Sequence, residues 1–263
     1  MVDTGERKLE AEGPLVTFAL FAYNQQQYIR EAIEGAFSQD YGNLEIILSD
    51  DGSSDRTFEI MQEMAGQYQG QHHVRVRKCP TNIGTLSHLL TVASEAKGEI
   101  LVVASGDDIS LPYRTSALFS EFATAKIVAA SSDDFIVDHA GNEIYSDEGR
   151  LQTRVACYLN NPAWLHGGTA AYRTSFLKSL PMPKYSVLFE DMALIGVFEI
   201  TCQEVVYLKK KLVKYRYHEN NVSSRHSRGE AFDARERAAL LRWERASVAK
   251  AYSVEAAAYL LDG

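Results

Sequence analysis

Leu44-Glu45-Ile46-Ile47-Leu48-Ser49, followed by Asp50-Asp51-Gly52-Ser53-Ser54-Asp55 and then by the amphipathic stretch from Arg56 to Tyr68, decides the fold class. A short, almost wholly apolar run is what a strand buried on both faces requires, and parallel sheets covered by helices contain such strands. The polar segment after it carries Ser53, Ser54 and Asp55, whose side-chain oxygens suit the exposed N–H groups at a helix start. The same grammar repeats on either side. Before it stand a strand, Leu15 to Ala22, and a helix, Tyr28 to Phe37. After it come a strand, Val74 to Lys78, and a helix, Thr85 to Ala96, closed by Gly98. Ile100 to Ala104 is then a fourth strand that runs directly into Ser105-Gly106-Asp107-Asp108. Strands alternating with helices predict an α/β fold, a Rossmann-like, mostly parallel sheet flanked by helices.

The second half is less regular. A helix follows Pro112, and Ile127 to Ser131 reads as a strand. A hairpin is expected from Phe135 to Val137 with Ile144 and Tyr145, turned through Gly141-Asn142. Gly149 to Leu188 is rich in Pro, Gly and aromatics. A helix from Glu190 to about Thr201 and strands Val205 to Leu208 and Leu212 to Tyr217 come next. From Glu230 an Ala-rich stretch with an apolar stripe at helical spacing predicts a helical extension.

With 263 residues and 46% apolar content, the chain can build one substantial core. The polar, mixed-charge start, Met1 to Gly13, lacks the apolar stretch of a secretion signal and reads as a tail. Three dispersed cysteines, Cys79, Cys157 and Cys202, lack disulfide or zinc spacing, which fits a reducing, cytoplasmic setting. A net charge of −8 argues against a nucleic-acid partner. The charge is uneven, however: Lys209 to Lys250 holds twelve Lys or Arg against five Asp or Glu. Peripheral contact with an anionic membrane face is one use of that stretch. Packing of its apolar stripe on the domain or on a second subunit, as in a homodimer, is the reading preferred here.

Ligands of open α/β sheets collect beyond the carboxyl ends of the strands, and here those ends are polar: Ala22-Tyr23-Asn24, Asp50-Asp51-Gly52-Ser53 and Asp107-Asp108. Clustered carboxylates repel one another unless a cation or hydrogen-bond donors hold them. Each piece also has an ordinary structural use. Asp50 to Ser54 would serve as a helix cap, Asp107-Asp108 as a turn before Pro112, and Glu190-Asp191 as favourable charge at a helix N-terminus.

Taken in order, these pieces resemble family-2 glycosyltransferases of the GT-A type. Tyr23-Asn24, Ala32-Ile33, Ser38-Gln39, Glu45-Ile46-Ile47 and Asp50 to Thr57 match that family's opening segment, and Asn82-Ile83-Gly84 with Ala96 to Ile100 its next block. Gly106-Asp107-Asp108-Ile109 stands at its metal-binding segment, Glu190-Asp191 at its acidic pair and Tyr215-Arg216-Tyr217-His218 at its late histidine motif. The resemblance runs from Leu15 to Ser223. It implies a tail over 1–14, a GT-A domain over 15–218 and a basic helical extension over 219–263. Within the domain, a nucleotide-sugar half covers about 15–132 and an acceptor half about 133–218.

The same resemblance implies roles. Ala22, Tyr23, Asn24, Asp51 and Gly84 would line the nucleotide pocket, with Asp51 accepting a hydrogen bond from the imide N–H of uracil, thymine or guanine. A UDP-sugar is the favoured donor. Asp107 and Asp108 would hold the ribose and an Mn²⁺ or Mg²⁺ ion, with His218 as a further ligand or phosphate contact, the alternative being a surface histidine. Asp191 would be the general base of an inverting transfer to a glycan or lipid-linked acceptor hydroxyl, supported by Glu190. Surface polysaccharide or glycoconjugate synthesis of the bacterial type is the implied setting. An acceptor platform is sought among Trp164, His166, Gly167, Gly168 and Tyr172. Two departures stand out: Ser105 replaces an aspartate, and Leu89-Leu90 replace Arg-Asn. A catalytically degenerate nucleotide-sugar sensor or scaffold is the alternative function. A nucleotidyltransferase is disfavoured, because Tyr23 to Gln27 is not a Gly-rich basic loop.

Overall fold

A computed structural model describes residues 13–144, 165–183, 190–218 and 221. Residues 1–12 of the expected tail, Trp164, much of the loop-rich stretch and the C-terminal extension beyond Asn221 lie outside these residues, and so does Tyr145. Eight strands form one sheet: β1 (Val16–Ala22), β2 (Leu44–Asp50), β3 (His73–Lys78), β4 (Ile100–Ser105), β5 (Ile109–Ser110), β6 (Ile127–Val137), β7 (Ala170–Arg173) and β8 (Glu204–Arg216). Their order across the sheet is β3-β2-β1-β4-β7-β6-β8-β5. β3, β2, β1 and β4 are mutually parallel, β7 runs antiparallel between β4 and β6, and β6 with β8 is again parallel.

Burial explains why β1, β2 and β4 form, and β3 adds to their edge by pairing with β2. Every residue of β2 is buried, and alternate residues of β1 serve opposite layers. Phe18 and Leu20 pack toward α1 (Ile29–Phe37) and α2 (Thr57–Gln67). Ala19 packs toward α3 (Thr85–Glu95) and its neighbours. Among the described residues, three further helices complete the layers: α4 (Arg114–Phe119), α5 (Thr174–Ser179) and α6 (Glu190–Ile200). Among the described residues no helix is long and apolar enough to cross a membrane.

At the amino end of the strands, the buried Glu45 carboxylate accepts hydrogen bonds from the Thr17 hydroxyl and from the backbone N–H of Lys97 and Gly98. It thereby closes the turn between α3 and β4. Gly98 is required there by proximity, since a Cβ on it would lie 2.3 Å from the Thr17 nitrogen. Glu45→Ala orphans these donors, at about 1–3 kcal/mol for each one left buried. Urea unfolding is expected to show a lower midpoint with an unchanged slope.

The second half corrects two expectations. Ile127–Val137 is one continuous strand, where a strand ending at Ser131 and a separate one from Phe135 were expected. Ser131, Ser132, Asp133 and Asp134 are polar but buried within it, and the hairpin itself is present at its end, with Val137 bridged antiparallel to Glu143, the Ile144 N–H donating to the Ile136 carbonyl and the turn closed between Asp138 and Asn142. Likewise Glu204–Arg216 is continuous through the exposed Lys209-Lys210, where two strands were expected. Register shifts in the β6–β8 pairing between Ser132, Asp133 and Asp134 absorb the irregularity.

Candidate active site

The register places Ala22 beside Asp50 and Phe21 beside Ser105, so the carboxyl ends of β1, β2 and β4 lie together. A cavity of about 940 Å³ opens there. Ala22, Tyr23, Asn24, Asp51, Gly84, Asp107, Asp108, Glu190, Asp191 and His218 all line it, drawn from loops up to 196 positions apart in the chain.

The first wall is a stitched pair of loops. Asn24 takes a positive φ of 53°, a conformation asparagine tolerates better than most side chains. Its backbone N–H donates to Ser53 Oγ, and its amide oxygen accepts from the Ser54 N–H at 2.9 Å. That oxygen is therefore committed within the protein. Tyr23 is 47% exposed at the rim. Asp51 is buried, its two oxygens accepting from the N–H groups of Ile83 (3.0 Å) and Gly84 (3.1 Å).

The second wall is the segment after β4. Asp107 Oδ2 lies 3.1 Å from His218 Nε2 and 3.5 Å from Asn221 Nδ2. Asp108 Oδ1 accepts the Arg216 N–H at 2.8 Å, while its Oδ2 takes no hydrogen bond from the described residues. The His218 side chain is only 10% exposed and stacks on Tyr28, which removes the surface-histidine alternative. Two buried arginines brace this wall from behind. Arg216 donates to the carbonyls of Asp107 and His139 and to Glu31. Arg114 donates to the carbonyls of Val103 and Gly168 and to Ser110 Oγ.

The third wall is the start of α6. Asp191 accepts from the N–H of Met192 at 2.8 Å and of Gly167 at 3.3 Å, so it places negative charge in the first turn of its helix while also facing the cavity. His166 and Gly168 join this wall. Tyr172 does not: it is fully buried and stacked with Phe198, because its strand β7 lies inside the sheet, and it is no platform for an acceptor.

A sequence profile of glycosyl transferase family 2 matches residues 17–180, which is more than half of the chain. The chain belongs to glycosyl transferase family 2. EpsE of Bacillus subtilis, a putative glycosyltransferase, is 34% identical over 102 residues, covering 39% of this chain and 36% of its own length. The chain therefore spans little more than a third of that relative. Among solved structures, the mannosyltransferase PcManGT from Pyrobaculum calidifontis, in complex with GDP-Man and Mn²⁺, superposes over 95% of this chain and 79% of its own, with a TM-score of 0.67 at 18% identity. S. aureus TarS with UDP-GlcNAc covers 89% of this chain and 66% of its own, with a TM-score of 0.63, also at 18% identity. These likenesses show the shared fold.

The electrostatics of this family 2 cavity are those of crowded acids. Burial, then the neighbouring Asp107, raises the Asp108 carboxyl well above its ordinary range, against the Arg216 N–H. Burial lifts Glu190 to about 7, with the Asp191 charge adding to it and a Thr85 hydrogen bond opposing it. Asp191 is raised too, chiefly by burial, against the N–H groups of Met192 and Gly167. A group with a raised folded-state value favours its protonated form in the fold. The stability that Glu190 contributes is complete below about 4.5 and is lost as pH rises through about 7. Glu190→Gln, which cannot ionise, is expected to gain in melting temperature over the wild type by more at pH 8 than at pH 5. A pH-independent difference would contradict this electrostatic assignment.

The donor set suits a hard divalent cation. Asp107 and Asp108 offer carboxylate oxygens, Asp108 Oδ2 has no donor among the described residues, and a cation would relieve the repulsion that shifts Asp108. Some groups carried no distinct signal in the sequence. Arg114 is a single charge on a six-residue helix, and His88 and Thr85 read as ordinary residues of α3, yet both of the latter line the cavity.

Proposed function

We propose that the chain transfers a glycosyl group from a nucleoside-diphosphate sugar to an acceptor hydroxyl with inversion, within a GT-A unit spanning 15–218. One observation supports this most: the Asp107-Asp108 pair and the Glu190-Asp191 pair face one cavity at the carboxyl ends of β1, β2 and β4. The two solved neighbours hold a GDP-sugar and a UDP-sugar respectively, which favours a nucleotide-sugar donor here.

In this reading Ala22, Tyr23, Asn24, Asp51 and Gly84 form the nucleoside end, with Asp51 reading the base. Asp107 and Asp108, with His218 beside them, would hold an Mn²⁺ or Mg²⁺ ion, which supplies Lewis-acid stabilisation of the charge that develops on the departing diphosphate. Asp191 takes the proton of the attacking acceptor hydroxyl on the side of the sugar opposite the diphosphate. The N–H groups of Met192 and Gly167 fix its carboxylate and favour its ionised form. The acceptor, a glycan or a lipid-linked sugar, would enter past His166 and Gly168.

Thermal unfolding with UDP, GDP, dTDP and CDP, each in Mn²⁺ and in EDTA, tests the donor site, since a ligand of the native state alone raises the midpoint. A metal-dependent rise with at least one nucleotide is expected. No rise with any, at millimolar ligand, would remove the donor-site assignment.

A further inference from the structure

We propose that His88, held in its Nδ1–H tautomer by the Arg77–Ser49 hydrogen-bond relay, is a second reader of the donor's base. Beside the Asp51 acceptor it presents a donor, so that uracil, thymine or guanine is selected over cytosine or adenine. This rests on the donor-site reading above and goes beyond it by fixing both halves of the recognition edge.

Helix α3 gives the cavity Thr85, His88 and Leu89, the last at a position where the resembled family's pattern has an arginine. His88 is the ring-bearing polar group on that wall, and one of its nitrogens lies within 4.8 Å of an Asp51 carboxylate oxygen. The tautomer follows from proton accounting. Arg77 Nη1 donates to Ser49 Oγ at 2.7 Å, and a guanidinium can only donate. Ser49 is fully buried, and His88 Nε2, at 2.5 Å, is the one acceptor among the described residues for its hydroxyl hydrogen. Nε2 is therefore the unprotonated nitrogen. Burial, and after it the Arg77 charge, hold His88 neutral by pushing it down to about 3. A neutral ring with a bare Nε2 carries its hydrogen on Nδ1, the nitrogen that no described residue engages. The ring plane is fixed by the edge contact with Phe21 at 4.9 Å and 89°, and Arg77 by its pairing with Glu95.

Asp51 is prepared in the complementary sense. The N–H groups of Ile83 and Gly84 each occupy one lone pair of its two oxygens and fix the carboxylate, which keeps further acceptor capacity. An acceptor next to a donor matches an imide N–H beside a carbonyl oxygen, as in uracil, thymine and guanine. Cytosine and adenine present a ring lone pair beside an amino group, so both contacts become repulsive. A site built to hydrogen-bond one edge rejects another because its own polar groups are left unpaired.

The test is calorimetric affinity for UDP, GDP, CDP and ADP in Mn²⁺ for the wild type, His88→Leu and His88→Gln, together with the ¹⁵N spectrum of the wild-type imidazole. UDP or GDP is expected to bind at least about tenfold more tightly than CDP and ADP. His88→Leu is expected to weaken the preferred nucleotide by about five- to tenfold, the worth of one hydrogen bond, while CDP, relieved of the opposed N–H, binds no less tightly than to the wild type. His88→Gln, which keeps an N–H donor, should recover part of that loss. The spectrum should show a protonated Nδ1 and a bare Nε2. An unchanged UDP-to-CDP ratio in a folded His88→Leu protein, or a protonated Nε2, would overturn the reader role while leaving the donor site standing. Failure of every nucleotide to bind the wild type would instead overturn the donor site, and this inference with it. Should His88→Leu not fold, the wild-type spectrum and His88→Gln decide.

Discussion

Asp191→Asn is expected to lower turnover by about 10²–10⁴-fold while leaving nucleotide affinity unchanged. Met192 and Gly167 donate to different oxygens of the present carboxylate, so asparagine keeps the shorter bond from Met192, which holds the α6 terminus, and gives up the 3.3 Å contact with Gly167. What is lost is basicity toward the acceptor hydroxyl. Loss of the Asp191 charge also removes one of the causes that raise Glu190, so Glu190 should titrate at lower pH in the variant than in the wild type. Steady-state kinetics with separately measured nucleotide binding checks this. Turnover equal to the wild type's would take the role of base away from Asp191. A matched loss of turnover and nucleotide affinity would make the residue structural.

Arg216→Met is expected to be the most destabilising single change in the cavity wall, at about 3–5 kcal/mol. Arg216 is fully buried, and its guanidinium serves the carbonyls of Asp107 and His139 as well as Glu31, while lying over the Tyr28 ring at 4.9 Å. Glu31 is 47% exposed and can rehydrate, so most of the cost falls on the stranded carbonyls and the lost packing. Because the guanidinium holds the Asp107 carbonyl, and with it the segment whose Asp108 carboxylate rests on the Arg216 backbone N–H, the variant should also lose stabilisation by nucleotide and Mn²⁺. Arg216→Lys should not restore it, since one ammonium cannot reproduce the planar fork. Urea unfolding with and without nucleotide checks both parts. A loss under about 1 kcal/mol would mean that the wall is held elsewhere.

The sequence carried β1, β2 and β4 plainly because they are buried on both faces, which leaves few polar residues to interrupt their apolar runs, whereas the edge strand β3 showed itself through Val74 and Val76 alternating with Arg75 and Arg77. The site was legible for a related reason: the polar residues after β1, β2 and β4 stand where the strands end. β6 and β8 were split because Ser131 to Asp134 are polar yet buried, while Lys209-Lys210 are exposed within a strand, so hydrophobic pattern and burial part company. Tyr172 and His218 went opposite ways for want of the third dimension. The one is enclosed by a sheet, and the other is covered by Tyr28 from a loop 190 positions earlier. The relay behind His88 was invisible, because Ser49 and Arg77 lie 39 and 11 positions away on separate strands.

Release of nucleoside diphosphate from a panel of UDP-, GDP- and dTDP-sugars, with Mn²⁺ or Mg²⁺ and with EDTA, tests the central claim most directly. Metal-dependent release from at least one donor by the wild type, and its loss in Asp108→Asn, is the expected result. Nucleotide binding without release from any donor, in the presence of candidate acceptors, would contradict catalysis and leave a sugar-nucleotide binding protein.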